Sequence, residues 1–537
     1  RPCVTGLLQG NDGDEMSAAN VFELTHPLPS REWLLLEASA GTGKTYSLTA
    51  LVARYVAEEG LRADELLMVT FTRAAAAEMK QEVREQLLRA LNVVNATDSE
   101  KLDPWLANLR NCTADELVLR RGRLETAISN IDSATISTIH GFFQQALGDL
   151  GIRSGDAKTP APAESDAVVS QKVIRDVLVN RFAANALALD PTGSKDPTSI
   201  EGSVATVLKS TSSNLAAELA PAPDASPAGQ WSSIIQELRK AIKEERVAQG
   251  VVAFDDLIVD LVEKLDDPTL GEEIIRVLRS RYRLVLIDEF QDTDTFQWRL
   301  FSRVFDLAGV PDEFLALIVV GDPKQAIYRF RGADIDAYLK AAADGSMSKR
   351  QMTTNYRSDR PLVEALNSWL TGVTFGDEDI AYVPVTTPDN HADARLTGGG
   401  QPLQFRFLAN PNKEKTDPVR AAISIDVADH IEKLLKDGKI APEVGSSAEP
   451  RPVKLNDICI LVRGHHDADP LVDELRRRQI PVVRSRIGSV LGVEPKPGSD
   501  KQTDSEAVKQ LRILFTAMAN PSDVRRVRSL QLSWFAS

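Results

Sequence analysis

The sequence is short of cysteine, of long apolar runs and of net positive charge, and each shortage removes a class of protein. Three cysteines occur in 537 residues (Cys3, Cys112 and Cys459), too few and too widely spaced for a disulfide framework or a paired-cysteine zinc site. No apolar stretch approaches the roughly 20 residues that cross a membrane, and the first thirty residues contain no signal-peptide core. These absences set the expectation of a reducing, cytoplasmic home with no membrane partner. The formal net charge is −14, which excludes a protein that coats nucleic acid with bulk positive charge. A local basic groove stays possible, because charges are screened over roughly 8 Å at physiological salt.

What is present is globular: 43% hydrophobic and 26% charged residues, in a length that predicts three or four domains. Residues 1–16 read as a leader or non-native segment, since position 1 is Arg and Met16 precedes an orderly stretch. Residues 17–153 alternate short apolar runs with helical periodicity: strands at 33–37, 66–71 and 134–139, and helices from the glycine turn to Leu61 and over 73–92. That alternation predicts an α/β fold with a parallel sheet covered on both faces. Residues 154–250, with Pro-, Ala-, Ser- and Gly-rich connections, predict an inserted helical subdomain. Strand–helix alternation returns over 251–345, with strands at 282–287 and 315–320. A further α/β unit is expected over 346–490, with a strand at 457–462, a helix at 467–479 and apolar residues 481–483. Helical patterns at 505–519 and 522–535 open a last piece, 491–537, that runs to Ser537 without a stop signal and reads as cut short.

Two segments carry chemistry. Ala38, Ser39, Ala40, Gly41, Thr42, Gly43, Lys44 and Thr45 follow the first strand and open a helix. A glycine loop with converging N–H groups and the positive end of a helix dipole suits a phosphate chain. Lys44 is then placed for the β and γ phosphates and Thr45 for Mg²⁺. Ala38 stands where the strict pattern has glycine. The second segment is the buried-type strand ending in Asp288 and Glu289, placed for a water-bridged Mg²⁺ and for orienting and deprotonating the attacking water.

Seven ordered segments then carry a resemblance: ASAGTGKT (38–45), TFTRAAAAEMKQEVR (70–84), ATISTIHGFF (134–143), FDDLI (254–258), LIDEFQDTD (286–294), VVGDPKQAIYRFRGAD (319–334) and NYRS (355–358). The set resembles the superfamily 1 DNA helicases of the UvrD/Rep type. Within them it looks most like the RecB family of exodeoxyribonuclease V beta subunits, with AddA-type helicase-nuclease subunits as the alternative. The resemblance implies a P-loop NTPase with two RecA-like parallel-sheet motor domains, inserted helical subdomains, and ATP and Mg²⁺ between the motors. It implies a 3′-to-5′ DNA helicase or translocase acting on single-stranded and duplex DNA in double-strand-break repair, with RecC- and RecD-like partner subunits.

By the same resemblance Gln325 senses the γ-phosphate, Tyr356 stacks on adenine and Arg357 is an arginine finger. Tyr328, Phe330 and Arg331 are single-strand contacts, a combination of rings and guanidinium that suits base stacking; Phe71, Thr72 and His140 are further DNA contacts. Asp255 and Asp256 read as a solvated cap rather than metal ligands, and the basic run 476–478 as a solvated helix end. No stretch resembles the family's GLE segment, its ALTRA arginine motif, the DYK core of the RecB nuclease, or the N-terminal adenine-reading Gln. The expectation is therefore a chain that binds ATP but hydrolyses it slowly and does not unwind duplex, the alternatives being a DNA-binding or assembly fragment and a P-loop ATPase acting on protein or membrane.

Overall fold

The computed structural model describes residues 21–96, 103–154, 170–178, 204, 208, 227–248, 261, 264–327, 334–408, 416–442, 449–484, 514 and 518. Two compact units emerge, one running essentially to Arg395 and one built from most of the rest.

The first unit is organised by a six-stranded sheet of order β3-β2-β4-β5-β1-β6, with β1 Glu32–Ala38, β2 Leu66–Thr70, β3 Thr135–Thr138, β4 Leu284–Ile287, β5 Ala316–Gly321 and β6 Met347–Met352. Every pairing in it is parallel. The connections are α1 Lys44–Glu59, α2 Arg73–Asn95, the short α3 Pro104–Asn108, α4 Ala114–Ser129, α5 Ile139–Ser154, α6 Pro227–Ala248, α7 Leu270–Arg281, α8 Thr295–Val304 and α9 Ile335–Ala343. Period-2 alternation splits the strands between two cores. Leu34, Leu36, Met68, Leu284, Leu286, Ile318 and Val320 face α1 and α2, in a cluster with Leu48, Leu51, Val83 and Leu87. Trp33, Leu35, Leu67, Val69, Val285, Ile287, Leu317 and Val319 join Phe142, Phe143, Leu278, Phe301 and Val304 on the other face. A strand buried on both faces must be apolar at every position, which is why LVLI and ALIVV are legible as strands.

The strand and helix expectations for residues 33–139 and 282–320 agree with this sheet to within a few residues. The expected unit boundary at 346 does not coincide with its edge. Residues 347–352 form β6, hydrogen-bonded to β1, and only its ends Met347 and Met352 are buried. An edge strand of composition SKRQ between two methionines carries little apolar signal. Within the expected insertion, Val173, Ile174, Leu178, Val204, Leu208, Ile234, Leu238 and Ile242 pack a small core of their own.

The second unit pairs α11 Thr416–Asp437 with α12 His465–Arg477 through Ala428, Ile431, Leu471 and Leu475; α10, Arg360–Leu370, belongs to the first unit. Its sheet is three two-residue strands, β7 Leu396–Thr397, β8 Lys439–Ile440 and β9 Arg451–Pro452, paired antiparallel. The helix expected at 467–479 is α12, but the strand expected at 457–462 and the second parallel layer are not formed among the described residues. Residues 458–462 and 481–483 lack a ladder partner there, and Leu461 and Val483 stay 91% and 92% exposed. Apolar sequence makes a strand only when a neighbouring backbone completes its hydrogen bonds. Arg478 is not a free solvated end either: it pairs with Asp429, Glu432 and Glu474. The 254–258 segment and the 505–519 and 522–535 helical patterns lie outside the described residues, save 514 and 518.

Leu286 is fully buried in β4, between β2 and β5. Leu286→Ala is expected to cost about 2–5 kcal/mol, read as a lower denaturant midpoint at unchanged m-value.

Candidate nucleotide site

All six strands run the same way, so the loops leaving β1, β4, β5 and β6 meet at one edge of the sheet, where α/β folds take their ligands. The β1 exit is the glycine loop. Gly41 and Gly43 both have φ +81°, a left-handed backbone that glycine adopts without cost. Gly43 caps α1 with no side-chain hydrogen bond, so first-turn amides have no side-chain acceptor competing for them. Thr42 is buried and its hydroxyl donates to the Ser39 carbonyl at 2.8 Å, tightening the turn. Ala38 ends β1 fully buried, Ser39 and Ala40 lead into the turn, and Lys44 and Thr45 open the helix.

The β6 exit seals this loop from above. The Asn355 amide donates to the Ala40 carbonyl at 3.0 Å, and the Tyr356 backbone N–H donates to the Gly41 carbonyl at 2.8 Å. Asn355 Oδ1 accepts the backbone N–H groups of Arg357 and Ser358, both at 2.9 Å. Tyr356 and Arg357 are left exposed beside the loop.

The β4 exit supplies the acids. Lys44 Nζ lies 3.2 Å from Glu289 Oε2, so the loop lysine and the strand-end carboxylate already face one another. Glu289 holds φ +52°, strained for a non-glycine residue and of the kind that collects at functional sites. Gln291 bridges to β5: its Nε2 donates to Glu289 Oε2 at 2.7 Å, while its Oε1 accepts the Asp322 N–H at 2.9 Å. Gln325 Nε2 then donates to Asp322 Oδ2 at 2.7 Å. A continuous path thus runs Lys44–Glu289–Gln291–Asp322–Gln325. Lys324 adds a second cation, 2.9 Å from Asp322 Oδ1.

Burial without enough positive charge pushes two carboxyls up. Asp288 rises to about 6, through desolvation first and the Glu289 charge second, with Lys44 pulling the other way. Asp292 rises to about 7 for the same reasons, and its Oδ1 is buried without a hydrogen-bond partner. This surplus of buried acid fits a hard divalent cation. No set of three or more His, Cys, Asp or Glu side chains could hold a metal among the described residues, so such an ion would take most of its ligands from water or a bound ligand.

The remaining sequence candidates fall less centrally. Phe71 and Thr72 follow β2, Phe71 half-buried; the Thr72 hydroxyl caps α2 by accepting the Ala75 N–H at 3.1 Å. His140 sits half-buried in the first turn of α5, after β3. Tyr328, Phe330 and Arg331 lie outside the described residues. Gln291 and Asp322 fall within the 286–294 and 319–334 segments, where sequence alone assigns them no role; their value shows only once β4 and β5 are neighbours.

The UvrD/REP helicase N-terminal domain matches residues 20–345. The chain is 34% identical over 475 residues to the RecBCD enzyme subunit RecB of Mycobacterium tuberculosis H37Rv, covering 86% of this chain and 41% of that one. It is 32% identical over 528 residues to RecB of Mycolicibacterium smegmatis, covering 96% and 44%. To RecB of Escherichia coli K12 it is 27% identical over 590 residues, covering 87% and 49%. The chain spans less than half the length of these relatives.

The raised Asp292 carboxyl predicts a pH signature. A carboxyl whose folded pKa exceeds its unfolded value favours the protonated native state, so the benefit present below about pH 4 is lost as pH rises to about 7. Asp292→Asn removes that cost. It is expected to raise Tm by a few degrees at pH 8 and to leave it nearly unchanged at pH 4, checked by thermal melts across that range.

Proposed function

Because this chain belongs to the UvrD/REP helicase family, we propose that it is the ATP-binding motor segment of a RecBCD-type exodeoxyribonuclease V helicase subunit. It uses ATP to drive 3′-to-5′ translocation on DNA in double-strand-break repair, alongside RecC- and RecD-like subunits. The observation that carries the reading is the glycine loop placed between the acidic exit of β4 and the Asn355–Tyr356 segment, with Lys44 already 3.2 Å from Glu289.

The residues divide the work as follows. Backbone N–H groups of residues 41–45 receive the phosphates at the uncapped start of α1. Lys44 leaves Glu289 for the β and γ phosphates, which compete for it with more negative charge. Freed of its cation, Glu289 becomes the acceptor for a proton of the attacking water, oriented by the Gln291 amide. Thr45 and Asp288 would hold Mg²⁺, which when bound would neutralise charge on the phosphates. Tyr356 stacks on the base, and Arg357 from the β6 exit neutralises the transferring phosphoryl group.

Hydrolysis is felt at DNA through Gln325. Loss of the γ-phosphate changes what its amide contacts, and the segment that follows it contains Tyr328, Phe330 and Arg331. Those rings and that guanidinium hold single-stranded bases by stacking worth about 1–3 kcal/mol per base. Phe71, Thr72 and His140, leaving β2 and β3 at the same edge of the sheet, extend the strand's path.

Steady-state ATPase assays with and without single-stranded DNA test the scheme. Lys44→Ala is expected to lower turnover by at least about 100-fold. Phe330→Ala is expected to keep nucleotide affinity and reduce DNA stimulation several-fold. Wild-type behaviour in both variants would overturn the assignment.

A further inference from the structure

A cavity of about 770 Å³ opens beside the glycine loop, lined by Thr42, Gly43, Tyr46, Asp103, Trp105 and Tyr356 among others. Pockets of this size hold nucleotide-sized ligands. Gly43 sits between two aromatic residues: a Cβ built there would lie 3.8 Å from Tyr356 Cδ2 and 4.0 Å from Tyr46 Cβ. Tyr356 is exposed, whereas Tyr46 is fixed. The Tyr46 hydroxyl donates to Asp103 Oδ2 at 2.5 Å and accepts the Trp105 indole N–H at 2.9 Å. Arg89, from α2, donates to the same Asp103 oxygen at 3.1 Å, its guanidinium 6.0 Å from the Tyr46 ring centroid.

Both bonds to Asp103 fall on Oδ2. Oδ1 receives no hydrogen bond from the described residues, on a side chain that lines the cavity and is 44% exposed. An ionised carboxylate is an acceptor only. Against a base it pairs with an exocyclic amino group and repels a carbonyl oxygen.

We propose that Asp103 is the specificity-determining residue of this pocket, accepting through Oδ1 from the 6-amino group of adenine and rejecting a 6-oxo purine. The proposal rests on the nucleotide reading above and deepens it. Tyr46, Trp105 and Arg89 are positioning residues: they hold Oδ2 so that Oδ1 points to the base. A carboxylate oxygen facing the base discriminates because a 6-oxo purine both loses the hydrogen bond and sets two acceptors against each other.

Competition binding on the whole chain tests this with ATP, GTP, N6,N6-dimethyl-ATP and inorganic tripolyphosphate. Wild type is expected to bind ATP at least about tenfold tighter than GTP or the dimethyl analogue, which has no amino hydrogen to donate. Asp103→Asn, whose amide also offers a donor, is expected to bring GTP within about threefold of ATP while tripolyphosphate binding is unchanged. Glu23→Gln, on the same cavity lining, should leave the ratio as in wild type. Equal binding of ATP and the dimethyl analogue by wild type overturns the proposal without recourse to any variant. So does an unchanged ATP-to-GTP ratio in Asp103→Asn, or a loss shared equally by tripolyphosphate. A wild-type chain that binds tripolyphosphate and no base refutes this reader alone; one that binds neither refutes the nucleotide reading itself.

Discussion

Parallel pairing of six strands is the constraint from which the site follows. It sends the exits of β1, β4, β5 and β6, drawn from positions more than 300 residues apart, to one edge. The four inner strands β1, β2, β4 and β5 are anchored by two cores at once, odd positions on one face and even positions on the other. The edge therefore rests on a support that is close-packed from both sides, and loop geometry at the site inherits that rigidity.

Within the edge, Gln291 does the joining. One amide touches Glu289 with its nitrogen and the Asp322 backbone with its oxygen, so the acid of β4 and the loop of β5 share a single side chain. Since Asp322 also holds Gln325 and Lys324, a change of partner at Glu289 alters a bonded series rather than an isolated carboxylate. The burial that pushes Asp288 and Asp292 up, with the Glu289 charge adding to it, is the electrostatic counterpart: an edge short of cations is prepared for a ligand that brings one.

The legibility of this fold tracked burial. Strands β1, β2, β4 and β5 are buried on both faces, so their sequences are unbroken apolar runs and were readable. The glycine loop was readable because its left-handed positions admit few other residues. Strand β6 was not, since an edge strand needs apolar residues only where Met347 and Met352 enter the core. Residues 457–462 misled in the opposite direction, apolar yet without a ladder among the described residues. The Tyr46–Asp103–Trp105 arrangement had no sequence signal at all: it joins the first turn of α1 to residues nearly sixty positions away.

Gly41 carries a consequence of its own. A methyl group added there would sit 2.9 Å from Arg357 Cβ and from both polar atoms of the Asn355 amide, on a backbone already at φ +81°. The clearance between the glycine loop and the segment above it is thus set by the bare Gly41 main chain lying against the Asn355 and Arg357 side chains, with no side chain on the loop as a spacer. Such a joint has no slack to absorb a shift: raising the 355–357 segment by even an ångström would break its bonds to Ala40 and Gly41 together. Lifting that segment parts both bonds at once, so the contact is built as a latch.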